Sequence, residues 1–457
     1  MAGRLTTSGN ENPAVLQAIV AGCAAALMLT GLVMIYSTGS IEAISLDWSP
    51  EKYFLNQLVF AVIGTALALA LWLFVPYRVW NTRLIYVGIL IVWLCFIGVA
   101  LTGEGILGAR RWLDIGPFRF QPSEFAKIAF VMVTAYLVCR YQDGSLSLAK
   151  AAGGAALCVA APLAMLLVTQ SDLGTSVICV VGIGVALLFG GVRLRWLFGG
   201  LGVLLALGAV AILATPYRRA RLFQMLGLMP SDAGDGAASY QLTQSLYTFA
   251  DGGLLGVGLG NSKGKFQYLP EAETDFIFSI VGEELGFVGA LVIIVLFLVI
   301  LACSLKIAAS CPDPFGRMLA GGCAVMLVFQ AFLNIACVIG IAPTTGKPLP
   351  FLSYGGSSLM SSLVVIGIIL SVAKGSEAPD VHRERQQNLR VVSHGEPYVP
   401  PRSQRHAVDQ GFSASAGYAS GRSGAAASHG RYAAAARPAS SRRESFGAQR
   451  PYGRSRR

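Results

Sequence analysis

Nine stretches of this chain run for twenty residues or more without an Asp, Glu, Lys or Arg: 12–41, 53–77, 84–103, 151–171, 173–192, 196–217, 285–305, 318–346 and 348–373. In a helix, about 20 apolar residues cross the ~30 Å hydrocarbon core of a bilayer. Inside lipid each backbone N–H and C=O must be paired within the protein, which leaves the helix as the form open to such segments. A tenth stretch, 120–139, qualifies if Glu124 and Lys127 are tolerated near one end. The pattern predicts an all-α polytopic membrane protein with about ten transmembrane helices over residues 13–374.

Ten spans put both termini on one side. Alternate short connections carry Arg78 and Arg83, Arg140 and Lys150, Arg193 and Arg195, and Lys306 and Arg317, beside only Asp143 and Asp313. By the positive-inside rule these connections, the N-terminal segment 1–12 and the C-terminal tail face the cytoplasm. The first apolar run is long and is followed by nine more, so it reads as a retained anchor. Residues 375–457 hold fourteen Arg, no Lys and six acids, a net +8 of the formal +11. Such a segment is expected to be disordered. Its arginines suit the anionic lipid headgroups of the cytoplasmic leaflet, or are simply solvated. No nucleic-acid partner is expected. The nine cysteines lie in or near the apolar windows without a CxxC pair and read as packing residues. All four histidines (His382, His394, His406, His429) lie in the tail, which removes a Ser-His triad or a His-rich metal site from the membrane body.

Polar sequence collects on the opposite, extracytoplasmic side, in loops near 104–122, 216–274 (between helices 7 and 8) and 342–357. In GARRWLDIGPFRFQPSEFAK, residues 108–127, Arg110, Arg111 and Arg119 run against the charge trend and point to an anionic occupant. Trp112 and Phe118 equally suit an interfacial aromatic belt. Gln121-Pro122-Ser123 reads as a helix start. Glu124 and Lys127 share a helical face and can form an ion pair or meet substrate. Asp172 in TQSDLGTS is a turn acid capping the next helix, or a site residue. Arg218, Arg219 and Arg221 in TPYRRARL match phosphate oxygens or lipid headgroups. Lys263 and Lys265 lie in a segment with six glycines between 252 and 264. It is not a Walker A loop, because Leu259 replaces the first glycine and Phe266 follows Lys265. Glu271, Glu273 and Asp275 then crowd against an apolar run, with Glu283 and Glu284 ~12 Å further along the helix. A carboxylate at the centre of a span costs ~2.5–3.5 kcal/mol or more, so those glutamates require a polar interior or fixed cations. Last, GKPLPFLSYGGSS, residues 346–358, places Lys347 and Ser353 in what reads as a re-entrant loop lining a cavity, or a plain connector.

The order GARRWLDIGPFRFQPSEFAK, TQSDLGTS, YQLTQSL, GVGLGNSKGKFQYLPEAETDFIFSIVGEELGFVG and GKPLPFLSYGGSS resembles the SEDS family (shape, elongation, division and sporulation). GLGNSKGKFQYLPEAE is more similar to the division branch than to the elongation branch. The resemblance implies a polytopic glycosyltransferase that polymerises lipid II on the outer face of the cytoplasmic membrane, at the septum in a division enzyme. It also implies a class B penicillin-binding protein transpeptidase as partner, among other divisome proteins. The family's essential acid corresponds to Asp275 and its outer-loop tryptophan to Trp112. Ser171 stands where proline is common, and ADGG replaces GSGG.

Such a reaction needs a base for a sugar hydroxyl and cations for a pyrophosphate leaving group. Asp275 is the expected base. Arg218, Arg219, Arg221, Lys263, Lys265 and Lys347 are the expected cations, with Arg110, Arg111, Trp112, Glu124, Lys127, Asp172, Glu283, Glu284 and Ser353 as further substrate contacts. The residues neither require nor exclude a divalent cation, Mg or Mn, bridging Asp275 and the pyrophosphate. A lipid flippase or transporter, a scaffold, and an elongation or sporulation polymerase stay open as alternatives.

Overall fold

A computed structural model describes residues 12–102, 105–106, 109–116, 118–200, 202, 208, 236–266 and 268–377. Nine of the ten predicted spans coincide with helices. These are α1 (Pro13–Ser45), α2 (Lys52–Leu73), α3 (Leu84–Thr102), α4 (Pro122–Gln142), α5 (Leu148–Val168), α6 (Leu173–Phe189), α8 (Ile277–Ser310), α9 (Pro314–Val338) and α10 (Gly356–Glu377). All but α6 reach the length and apolarity for a crossing. Between them α7 (Gly236–Gly252) belongs to the long loop. Most of the remaining predicted span (196–217), the 218–221 arginines and the tail beyond 377 lie outside the described residues.

The starts follow from local chemistry. Asn12 and Asp313 each precede a proline and accept backbone N–H bonds from the first turns of α1 and α9. Pro122 opens α4 as its sequence predicts. The loop before α4 departs from an all-α chain. It forms two short antiparallel pairs, Gly105–Ile106 with Ala109–Arg110 and Leu113–Ile115 with Phe118–Phe120. Asp114 and Arg119 sit opposite one another in the second pair, 3.4 Å apart and exposed. Strands of two or three residues leave no alternation long enough to read.

Polarity is arranged from the inside out. The spanning windows of α4, α9 and α10 are 83%, 72% and 83% buried, against 22% for α2 and 17% for α5. The inner helices carry Glu124, Lys127, Gln330, Asn334 and the serines of α10, while lipid-facing surfaces are aliphatic. Lipid offers no hydrophobic drive between helices, so small residues set the close contacts. Gly64 and Ala68 of α2 lie against Leu363 and Gly367 of α10.

Side-chain contacts sort the connections into two ends. Arg140 donates to the Asn81 carbonyl, Gln142 to Gly190 and Lys374 to Leu73, which gathers several of the basic connections at one end. At the other, Arg111 reaches residues 170 and 171, Lys347 reaches Asp172, and the Tyr354 N–H donates to the Glu273 carbonyl.

α8 is broken near its start. Its 34 residues would extend ~51 Å, well beyond the hydrocarbon thickness. At Gly286 the backbone leaves the helix (φ 70°, ψ −173°). The freed groups pair with the glycine loop: Val257 and Gly258 donate to the carbonyls of Glu283 and Glu284, and Phe287 and Val288 donate to those of Gly253 and Leu254. Residues 287–310 suffice alone for a crossing, so the break lies toward the end of the span. Gly256 (φ 81°) and Gly286 face each other there, and a Cβ on either would overlap the other segment's backbone. Replacing Gly256 with Ala therefore adds a left-handed conformation to a backbone overlap, and should lower stability by on the order of 3 kcal/mol. A thermal melt of the purified variant checks this; an unchanged midpoint would mean that the loop is not docked on the break.

Candidate active site

Asp172 ends the turn after α5 and caps α6, accepting from the Thr175 N–H (3.1 Å) and hydroxyl (2.8 Å). Lys347, from the loop before α10, places its ammonium 2.6 Å from Asp172 Oδ2, with both side chains 1% exposed. Burial opposes ionisation of Asp172, but Lys347, Arg111 and the capping bonds hold its carboxyl below the usual range. The geometry bears out the capping reading of this acid, and the same carboxylate also pairs with Lys347.

Arg111 reaches the same corner from the first loop. Its Nε donates to the Gln170 carbonyl (3.1 Å) and its Nη2 to that of Ser171 (2.9 Å). A Cβ on Gly346 would lie 3.4 Å from Asp275 Oδ2 and 3.8 Å from Arg111 Nη1. The acid and the third guanidinium nitrogen thus face one glycine. Asp275 precedes Phe276, the N-cap residue of α8, and no side chain caps that helix; the acid is not there to cap. Among the described residues, no hydrogen bond or ion pair engages its carboxylate. Part of its surface stays open to solvent, yet desolvation and the nearby Glu271 push its carboxyl up to about 6, against the pull of Lys347 and Arg111. Asp172, Lys347, Arg111 and ionised Asp275 make a balanced quartet of charges.

The other predicted residues fall into separate groups. Glu283 accepts from the Lys263 and Gly264 N–H groups and the Ser262 hydroxyl. Glu284 pairs with Lys265 at 3.0 Å and accepts from Ser37. Both glutamates thus fasten the glycine loop to the α8 break, and Lys265 is the fixed cation that a carboxylate at that depth requires. Lys263 is exposed and Trp112 half-buried. Glu124 and Lys127 form a buried pair at 2.8 Å, and Lys127 also donates to Gln330 Oε1. Ser353 accepts from the Leu349 N–H and closes the turn before α10. The Arg110 side chain lies outside the described residues, with Arg218, Arg219 and Arg221. A separate cavity of about 290 Å³ is lined by Thr38, Glu42, Lys265, Glu271 and Glu273. Burial, with Glu271, Glu42 and Asp275 nearby, raises the Glu273 carboxyl to about 7.

The buried amides that escaped the sequence reading include Gln170, Gln330 and Asn334. The signal was present for two of them. Gln330 and Asn334 stand four apart in an otherwise apolar window, on one face of α9. Asn334 Nδ2 donates at 2.8 Å to both the Asp275 and Lys347 carbonyls.

A family model described as cell cycle protein, FtsW/RodA/SpoVE, matches residues 17–378. The chain belongs to that family. It is 38% identical over 355 residues to "Probable peptidoglycan glycosyltransferase FtsW" of Trichlorobacter lovleyi, covering 77% of this chain and 91% of that protein. It is 37% identical over 359 residues to "Stage V sporulation protein E" of Bacillus subtilis, covering 77% and 94%. Among solved structures it is similar to a chain from "Structural coordination of polymerization and crosslinking by a peptidoglycan synthase complex", with TM-score 0.62, 29% identity and coverage of 79% and 98%. The Thermus thermophilus rod shape determining protein RodA follows at TM-score 0.55 and 28% identity, covering 78% and 96%. FtsW/RodA/SpoVE proteins are thus polytopic relatives along nearly their whole length, and the candidate site lies inside the matched region. Among the described residues no three carboxylate, histidine or cysteine side chains converge on a metal position. A divalent cation would take Asp275 from this chain and its other ligands from phosphate oxygens and water.

Proposed function

We propose that this FtsW/RodA/SpoVE protein is a peptidoglycan glycosyltransferase that polymerises lipid II at the membrane's outer face, for the septal wall in division. A partly open carboxylate beside a guanidinium nitrogen that has no hydrogen-bond partner among the described residues carries the reading. Asp275, with its carboxyl near 6, is ionised at neutral pH and basic enough to take a hydroxyl proton. The acceptor hydroxyl attacks the anomeric carbon of the lipid-linked sugar, Asp275 receives its proton, and the bond to the lipid pyrophosphate breaks. An α-linked donor gives a β-linked product in this single displacement. Arg111 Nη1 is the cation placed to meet the leaving pyrophosphate. Lys347 is buried against Asp172 and acts through its field. Glu271 and Glu273 offer acceptors for sugar hydroxyls in the neighbouring cavity.

The basic connections and both termini face the cytoplasm of the inner membrane, and the Asp275 end faces outward. A class B penicillin-binding protein and other divisome proteins are the proposed partners; the structural relative from a peptidoglycan synthase complex supports a partnered enzyme. Relatives with division and sporulation names at 38% and 37% identity leave the septal assignment to the division-like GLGNSKGKFQYLPEAE segment and to the FtsW name of the Trichlorobacter lovleyi relative.

The pH dependence of initial rate tests the base. With labelled lipid II and the cognate transpeptidase, kcat/KM should rise through a single limb near pH 6 and then level, because protonated Asp275 cannot accept the hydroxyl proton. A rate independent of pH between 5 and 8, or no polymer at any pH, would contradict the reading.

A further inference from the structure

We infer that Asn334 is a positioning residue, which sets Asp275 and Lys347 in register through its side-chain amide; the inference rests on the roles proposed for those two groups. Asn334 is 2% exposed on the inner helix α9. Its Nδ2 carries two hydrogens, and each has a carbonyl acceptor at 2.8 Å, one on Asp275 and one on Lys347. These residues belong to loops 72 positions apart in the chain, and the amide is a direct bridge between their backbones. Its orientation is not arbitrary. Turned about, Oδ1 would face two carbonyl oxygens, whereas as placed it stays buried without a partner. An unpaired buried acceptor is costly, and the arrangement accepts that cost to keep both donors on the two loops.

One turn deeper, the same helix face repeats the device. Gln330 Nε2 donates to the Pro348 carbonyl at 3.0 Å. Lys127 donates to Gln330 Oε1, which fixes the orientation of that amide, and Glu124 holds Lys127. The buried Glu124–Lys127 pair thereby reaches the 346–350 loop through Gln330. Two amides at i and i+4 hold the loop carrying Lys347 at consecutive positions, and the upper one alone also holds Asp275. A shift of about 1 Å between catalytic groups costs on the order of 100-fold in rate.

The test is a kinetic cycle. Asn334→Leu keeps approximate volume and removes both donors. In lipid II polymerisation with the full chain and its transpeptidase, kcat should fall roughly 10–100-fold with KM within about threefold, since no contact with substrate is lost. In an Asn334→Leu/Lys347→Met double variant the loss should be smaller than the product of the two single losses, because part of the effect of Asn334 passes through Lys347 and the rest through Asp275. Should Asn334→Leu fail a thermal melt, Asn334→Ser, too short to reach both carbonyls, takes its place with the same expectation. Wild-type kcat in a folded Asn334 variant, or fully additive losses in the cycle, would overturn the inference. If Asp275→Ala and Lys347→Met were themselves fully active, the proposed site would fail instead, and that outcome is read from the single variants.

Discussion

Asp275→Asn should yield a protein as thermally stable as the wild type, or more so, that has lost polymerase activity by roughly 10²–10⁴-fold. The two halves of this expectation share one cause. The Asp275 carboxyl is raised to about 6 because folding desolvates it near Glu271. A carboxyl whose folded value exceeds its unfolded value, ~3.9, opposes folding once the pH passes above the unfolded value. At pH 7 the ionised acid therefore weakens the fold, and the neutral amide relieves that penalty. Activity goes the other way, since an amide cannot accept the acceptor's proton. A melt and a rate on one preparation separate the cases: a variant that is inactive because it unfolds would show Asp275 to be a structural acid.

Lys347→Met has the opposite stability signature. It leaves Asp172 buried, 1% exposed, without its cation, and breaking a buried pair costs ~3–5 kcal/mol. Adding Asp172→Asn removes the stranded charge and should recover most of that loss, because an apolar or neutral pair often substitutes for a buried ionic one. Activity should not return with the fold. Lys347 lowers the Asp275 carboxyl, so its loss moves the acidic limb of the rate profile above pH 6. Recovery of stability together with wild-type rate and limb in the double variant would show the Lys347–Asp172 pair to be scaffolding only.

How much of this could be read beforehand depends on the physics of each feature. The spans were legible because excluding charge from lipid is a strong, local constraint, and nine of the windows coincide with helices. Asp275 stood out for the same reason in reverse. Partnerships beyond the local Glu124–Lys127 pair were not legible: Lys347 and Asp172 meet across 175 residues, and Lys265 is committed to Glu284. The α8 break was hidden because a hydropathy window sees only composition, while the break depends on backbone pairing with a loop some thirty residues upstream. That break also bears on the transporter alternative. Half-helices with glycine breaks mark transport sites when they lie near the midplane; here the break lies toward one end, and its freed groups are paired with the loop. Gln330 and Asn334 were missed because neutral amides carry no charge to count, and their value lies in geometry.

What the protein does to lipid II in a bilayer separates an enzyme from a transporter most directly. The wild type and Asp275→Ala, each with the cognate transpeptidase, would be reconstituted in vesicles carrying labelled lipid II. Polymer would be resolved on a gel and the sidedness of the label followed in parallel. Glycan chains from the wild type, with none from an Asp275→Ala protein that melts normally, is the predicted result. Label crossing the membrane without polymer, at equal rates in both proteins, would show a transporter and contradict the account.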